Sequence, residues 1–180
     1  MISPPMALGR SRLSVSDPRP VHLPRAGQDR LRIQVVAGAL FDAAGRVLIA
    51  QRPAGKHLAG RWEFPGGKLA EGEGLEAALA RELREELGVV VDVDGCEKLM
   101  SLTHAWPDRE VELHLYVVDG WDGTPRGLDG QSLRWVPLAA LGEQDLLEAD
   151  RPFVEALQRR GPPVTLGCCG SPAAAKPTGA

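Results

Sequence analysis

Between Gly67 and Val89 the chain reads GKLAEGEGLEAALARELREELGV, a segment that commits to one helix and one way of burying it. Leu75, Leu79, Leu83 and Leu87 recur four apart and form a slowly drifting apolar stripe that faces a core. Gly88 stands where a helix ends in a left-handed C′ residue. The pattern predicts a helix over Glu73–Leu87.

Three carboxylates share the face beside that stripe. Glu82, Glu85 and Glu86 lie within about 100° of one another, because neighbours three and four apart sit together on a helix. One account is a solvated acidic face. Against it, acids in the last turn oppose the helix dipole at about 0.3–1 kcal/mol each, and like charges at this spacing repel. Arg81 and Arg84 cannot face every acid. A divalent cation reverses the sign of both penalties, and magnesium takes hard oxygen ligands while keeping waters and substrate phosphates in its shell.

The flanking sequence supplies strands. Arg32–Phe41 (RIQVVAGALF) reads as a buried strand, Asp42–Gly45 as a turn, and Arg46–Arg52 as a returning strand. Lys56–Gly60 is loop, Trp62–Phe64 a short extended piece, and Pro65-Gly66-Gly67 a turn. Val89–Val93 and Cys96–Ala105 look extended. Arg109–Val118 alternates, with Val111, Leu113, Leu115 and Val117 on one face. Gly120–Gly130 is loop, Leu133–Val136 a short strand, and Asp150–Arg160 a second helix with Asp150 as N-cap and Gly161-Pro162 as its stop. The expected fold is α/β, an α/β/α sandwich around a mixed sheet.

At 180 residues the chain has the length of one domain. We place that domain at residues 30–160, between disordered tails at 1–29 and 161–180. A net charge of -3 gives no general attraction to polymeric nucleic acid or to an anionic membrane. No stretch approaches the roughly 20 apolar residues of a membrane helix, and no signal peptide is visible. Cys96, Cys168 and Cys169 form neither a disulfide framework nor a zinc pattern, so free thiols in a reducing, cytoplasmic setting are expected. The expected state is a monomer.

The spacing Gly67-x5-Glu73-x7-Arg81-Glu82-Leu83-x-Glu85-Glu86-x-Gly88-Val89 resembles the Nudix box at every fixed position of that 23-residue motif. Trp62-Glu63-Phe64-Pro65-Gly66-Gly67-Lys68 before it and Trp106-Pro107-Asp108-Arg109 after it resemble the MutT-like hydrolases. The similarity runs from about Ile33 to Leu157. It implies a Nudix-type sandwich and Mg²⁺-dependent cleavage of a nucleoside triphosphate to monophosphate and pyrophosphate, with Mn²⁺ as a possible substitute. The partner implied is a free nucleotide.

The resemblance also assigns residues. Glu82, Glu85, Glu86 and a backbone carbonyl at Gly66 would hold metal, while Gly67, Glu73 and Gly88 shape the box and Arg81 orients its glutamates. The general base would be Asp129, in an Asp-Gly turn, or Glu82. Arg52 and Lys68 stand where phosphates are met, and His57 and Arg109 fall at further substrate-side positions. Phe64 and Trp106 either stack on a base or belong to the core. His104 and His114 are taken as structural.

Relatives that remove 8-oxo-dGTP read the base with an asparagine just before the last helix, and this chain has Asp150 there. An ionised aspartate only accepts hydrogen bonds, whereas a buried, protonated one also donates. Oxidised guanine nucleotides are the leading substrate class, in nucleotide-pool sanitation. CTP or another (deoxy)nucleoside triphosphate stays open. So does a non-catalytic nucleotide-binding module, although such modules lose box glutamates that are intact here.

Overall fold

The computed structural model describes residues 31–105 and 109–163. The expected tail 1–29, residue 30, the expected tail 161–180 from residue 164 onward with its Cys168–Cys169 pair, and Trp106-Pro107-Asp108 lie outside the described residues. No described helix is long and apolar enough to cross a membrane.

The strands are β1 (Leu31–Leu40), β2 (Arg46–Gln51), β3 (Trp62–Glu63), β4 (Gly66–Lys68), β5 (Val90–Val91), β6 (Glu97–Ala105), β7 (Arg109–Val118), β8 (Trp121–Asp122) and β9 (Leu133–Pro137). The helices are α1 (Leu75–Leu87) and α2 (Arg151–Arg160). A four-stranded sheet has the order β4-β1-β7-β6, in which β1 and β7 run parallel and the other pairs antiparallel. A three-stranded antiparallel sheet, β3-β2-β9, and a β5-β8 ribbon complete the framework.

β1 is apolar on both faces because each face meets a different layer, as expected for a strand in parallel pairing. Val36 and Leu40 pack with Leu48, Tyr116 and the α1 stripe of Leu79, Leu83 and Leu87. Ala37, Ala39 and Phe41 pack with Val47, Ile49, Leu115, Val117 and the α2 residues Phe153, Val154 and Leu157. The result is the anticipated α/β sandwich with a mixed sheet. Gly38 makes the α1 layer close: a Cβ there would meet Leu83 at 3.2 Å.

Several boundaries differ from the sequence expectation. α1 starts at Leu75, not Glu73, because Glu73 is held in a turn through its amide to the Ala70 carbonyl. Gly66 and Gly67 are a strand, not a turn, pairing with Ala37 and Val36. Val93–Gly95 is a 3₁₀ turn whose Asp94 amide donates to the Asp92 side chain. Part of the expected loop after Gly120 is β8, which gives β5 its partner. Leu138–Glu143 and Glu148–Asp150 are further 3₁₀ turns.

Candidate active site

The last turn of α1 carries the acids, and a loop finishes it. Gly88 closes the helix at φ 70° with its amide on the Arg84 carbonyl. The carbonyl of Glu86 accepts from the Leu128 amide and from the Gln131 Nε2, and that of Leu87 accepts from the Arg126 amide. These bonds satisfy helix-end carbonyls that have no intrahelical partner. They also bring the loop before β9, with Asp129, against the carboxylate patch. Gln131 Oε1 in turn accepts from the Asp129 amide at 2.8 Å.

Arg81 organises the patch. Its Nε and Nη2 donate to the two oxygens of Glu73 at 2.9 and 2.8 Å. Its Nη1 donates to Glu82 at 2.8 Å and Glu85 at 3.1 Å, and Nη2 also reaches the Lys68 carbonyl at 3.0 Å. One planar fork thus fixes the loop before the helix and two acids on it. The Arg81 bonds, with the Ala70 amide, hold the Glu73 carboxyl down at about 2.

Gly66 and Gly67 bring backbone into the same place. The Gly66 amide donates to Glu86 at 3.1 Å. A Cβ on Gly67 would stand 2.3 Å from the Glu82 carboxyl carbon, so this carboxylate lies directly on the β4 backbone. Burial pushes Glu86 up to about 7, and the charges of Glu63 and Glu82 push in the same direction. Among the described residues no three acidic, histidine or cysteine side chains converge on one point, because Glu82 and Glu85 turn to Arg81 and Glu86 to Gly66. The donor set nevertheless fits a hard divalent cation. It is all oxygen, crowded with like charge, and backed by a glycine backbone that leaves no side chain in the way.

Next to this patch opens a cleft of about 440 Å³ between β1, β7, β3 and the turn before α2. Arg52, His57, Leu58, Glu63, Phe64, Gly66 and Asp150 line it, with Val35, Val111, Leu113 and His104 on the sheet side. Arg52 donates to the His57 carbonyl at 2.7 Å and forms a close ion pair with Glu63. Phe64 is both core and wall, 4% exposed and edge-on to Phe153. Leu58 holds a left-handed backbone at φ 59° while leaving 48% of its surface open at the rim.

Asp150 holds the expected N-cap position of α2 but does not use its side chain as a cap. It makes no side-chain capping bond, and its own backbone is already helical. The 3₁₀ turn before α2 carries it inward, where it is 4% exposed and accepts from the Phe64 amide at 3.3 Å. Burial, and next the charge of Glu63, raise its carboxyl to about 7.

The structure therefore brings together Glu73, Arg81, Glu82, Glu85, Glu86, Gly66, Gly67 and Asp129 on one side, and Arg52, His57, Phe64 and Asp150 on the other. Lys68 has an exposed side chain and lines neither part. Arg109 opens β7 opposite Leu31, on the face of Val111 and Leu113 by strand alternation. His114 is buried against Ser101, as a structural residue would be, but His104 lines the cleft. Sequence reasoning missed Glu63, Gln131 and Lys56 as site residues. For Glu63 the signal was a lone acid between two large aromatics.

The chain matches the family described as NUDIX domain over residues 31–157. It is 34% identical to the 8-oxo-dGTP diphosphatase of Escherichia coli over 128 residues, covering 71% of this chain and 98% of that one. It is 40% identical to the CTP pyrophosphohydrolase of the same organism, covering 69% of this chain and 90% of that one. A solved structure from work on MutT of Aliivibrio salmonicida and Vibrio cholerae superposes with a TM-score of 0.63 at 34% identity, over 72% of this chain and 98% of that one.

Proposed function

The chain belongs to the NUDIX family, whose hydrolases generally use divalent metals, and is a pyrophosphohydrolase; we propose that it cleaves 8-oxo-dGTP to the monophosphate and pyrophosphate with Mg²⁺. The observation that carries this reading is the position of Asp150. It lines, beside Phe64, a cleft that also takes in Glu63 and Gly66, and Gly66 adjoins the carboxylate patch through Glu86. A base seated against Asp150 directs its phosphates toward Glu82, Glu85 and Glu86.

Burial answers the objection that aspartate cannot donate. With its carboxyl raised to about 7, the neutral form is present at neutral pH. A neutral carboxyl donates to a guanine O6 and accepts from N1–H. The Phe64 amide donates to one oxygen of the carboxyl, and Phe64 itself walls the cleft.

Glu82, Glu85, Glu86 and the Gly66 carbonyl would hold the metal, which when bound neutralises phosphate oxygens and lowers the pKa of a water. Arg81 orients Glu82 and Glu85, and Asp129 or Glu82 takes the proton of the attacking water. In this reading the protein works as a monomer on free nucleotides in the cytoplasm.

The same carboxyl favours one second substrate. Its O–H can meet cytosine N3 while its carbonyl accepts from the N4 amine, so CTP is the alternative. The test is a kcat/KM panel of 8-oxo-dGTP, dGTP, CTP, dCTP and ADP-ribose with Mg²⁺ and identified products. A preference of about 100-fold or more, roughly 2.7 kcal/mol, for 8-oxo-dGTP over dGTP supports the sanitation reading. A leading rate on CTP transfers the assignment to the cytidine reading.

A further inference from the structure

The phosphates of a nucleotide triphosphate need cations, yet the arginines at this site are already engaged. Arg81 is divided among Glu73, Glu82, Glu85 and the Lys68 carbonyl. Arg52 is taken by Glu63 and the His57 carbonyl. Lys68 lies opposite Val35 on β4 but lines neither the cleft nor the groove beside the acids. A different residue stands over the acids. Lys56, in the loop after β2, lines a narrow groove with Glu63, Glu86, Asp129 and Gln131. Its Nζ lies 3.8 Å from an Asp129 oxygen, with the two side chains 49% and 51% exposed. Burial raises the carboxyls of Glu63 and Glu86, and the Lys56 charge opposes that rise at both, so it reaches the patch as well as Asp129.

On the reading given under Proposed function, we propose that Lys56 is a substrate-binding residue that holds the pyrophosphate end of the nucleotide, exchanging its ion pair with Asp129 for phosphate oxygens when substrate enters. An exposed ion pair of this length is weak, so exchanging it costs little. A lysine ammonium binds phosphate as a point charge that needs no fixed fork, which suits a group coming from a loop. The place of Lys56 decides which phosphates it meets. It stands by Glu86 and Asp129, whereas the base end at Asp150 lies across Glu63 from it. The α-phosphate, tied to the nucleoside, falls on the cleft side, and the leaving pyrophosphate falls under Lys56.

The test uses the full chain and the variants Lys56→Met and Lys56→Arg. Binding of inorganic pyrophosphate and of dGMP, each with Mg²⁺, is measured by calorimetry, and KM and kcat for the best triphosphate are measured beside it. Lys56→Met should weaken pyrophosphate about 10- to 100-fold, as expected for losing one bond to a charged group. It should leave dGMP within about twofold, raise KM and change kcat much less. Lys56→Arg should keep most of the pyrophosphate affinity. Unchanged pyrophosphate binding in Lys56→Met, or a loss confined to dGMP, overturns the proposal. A wild-type chain that turns over no triphosphate overturns the substrate reading instead, and the calorimetry still decides the role of Lys56.

Discussion

The carboxyl of Asp150 accepts a hydrogen bond from the Phe64 amide at 3.3 Å, across 86 residues of sequence. This bond joins the turn before α2 to the link between β3 and β4, which leads into the carboxylate patch. It also places an acid where burial opposes its ionisation, with consequences for both stability and binding.

For stability, the folded carboxyl is raised from 3.8 to about 7, so the folded state binds the proton more tightly than the unfolded chain. The stabilisation is fully present below about 3.8, falls away as pH rises from there to about 7, and changes no further above that. The cost at high pH is at most about 4 kcal/mol. Asp150→Asn should therefore melt higher than wild type at pH 8 and close to it at pH 4. Equal melting temperatures at both pH values would remove the buried-acid account. In binding, wild-type affinity for a nucleoside monophosphate should weaken above pH 7, while Asp150→Asn, which donates and accepts at every pH, stays flat.

Adjacent glycines separate folding from activity. A Cβ on Gly66, where φ is 151°, would stand 2.1 Å from the Val36 carbonyl oxygen, a backbone atom of β1. Gly66→Ala should cost about 3 kcal/mol or more and prevent normal folding. A Cβ on Gly67 meets instead the movable end of Glu82. Gly67→Ala should fold with a melting temperature near wild type and lose most of its turnover. Thermal melts beside kcat distinguish the two, and an active Gly67→Ala enzyme would remove Glu82 from its assigned place.

Arg81→Lys keeps the charge and loses the fork. Lysine cannot hold Glu73 by two parallel bonds while also reaching Glu82 and Glu85. Turnover should fall about 10- to 100-fold, the usual cost of losing a group that orients a metal ligand. Circular dichroism should stay unchanged. A kcat within twofold of wild type would reduce Arg81 to a surface ion pair.

The Glu85 side chain is 59% exposed and, among the described residues, bonds to Arg81. Glu85→Gln should leave the melting temperature in place and lower turnover at least about 100-fold, beyond what loss of an orienting group costs. A near-normal rate across a Mg²⁺ titration would exclude Glu85 from metal binding.

Much of this site is local in sequence and was legible there. The box from Gly67 to Gly88 carries its own periodicity, its stop and its acids, and the helix needs only a surface to receive Leu79, Leu83 and Leu87. The features that were not legible depend on partners distant in the chain. Gly66 and Gly67 look like a turn until β1 supplies a ladder. Asp150 looks like a cap until the preceding 3₁₀ turn rotates it inward to Phe64. Glu63 and Lys56 look like ordinary surface charges until the loop of Asp129 and Gln131 is stitched to the end of α1.

The parallel pairing of β1 with β7 has a further consequence. Gln34 and Glu112, bonded across it, are 78 residues apart, and the whole of β2, β4 and α1 lies between them. The glutamate-bearing segment is therefore enclosed in a loop whose ends meet only through a costly long-range closure. Helix α1 can form early from its own periodicity, but β4 has no sheet to join until β1 is fixed. Catalytic competence should thus be the late event in refolding, and recovery of turnover should lag behind recovery of helical signal.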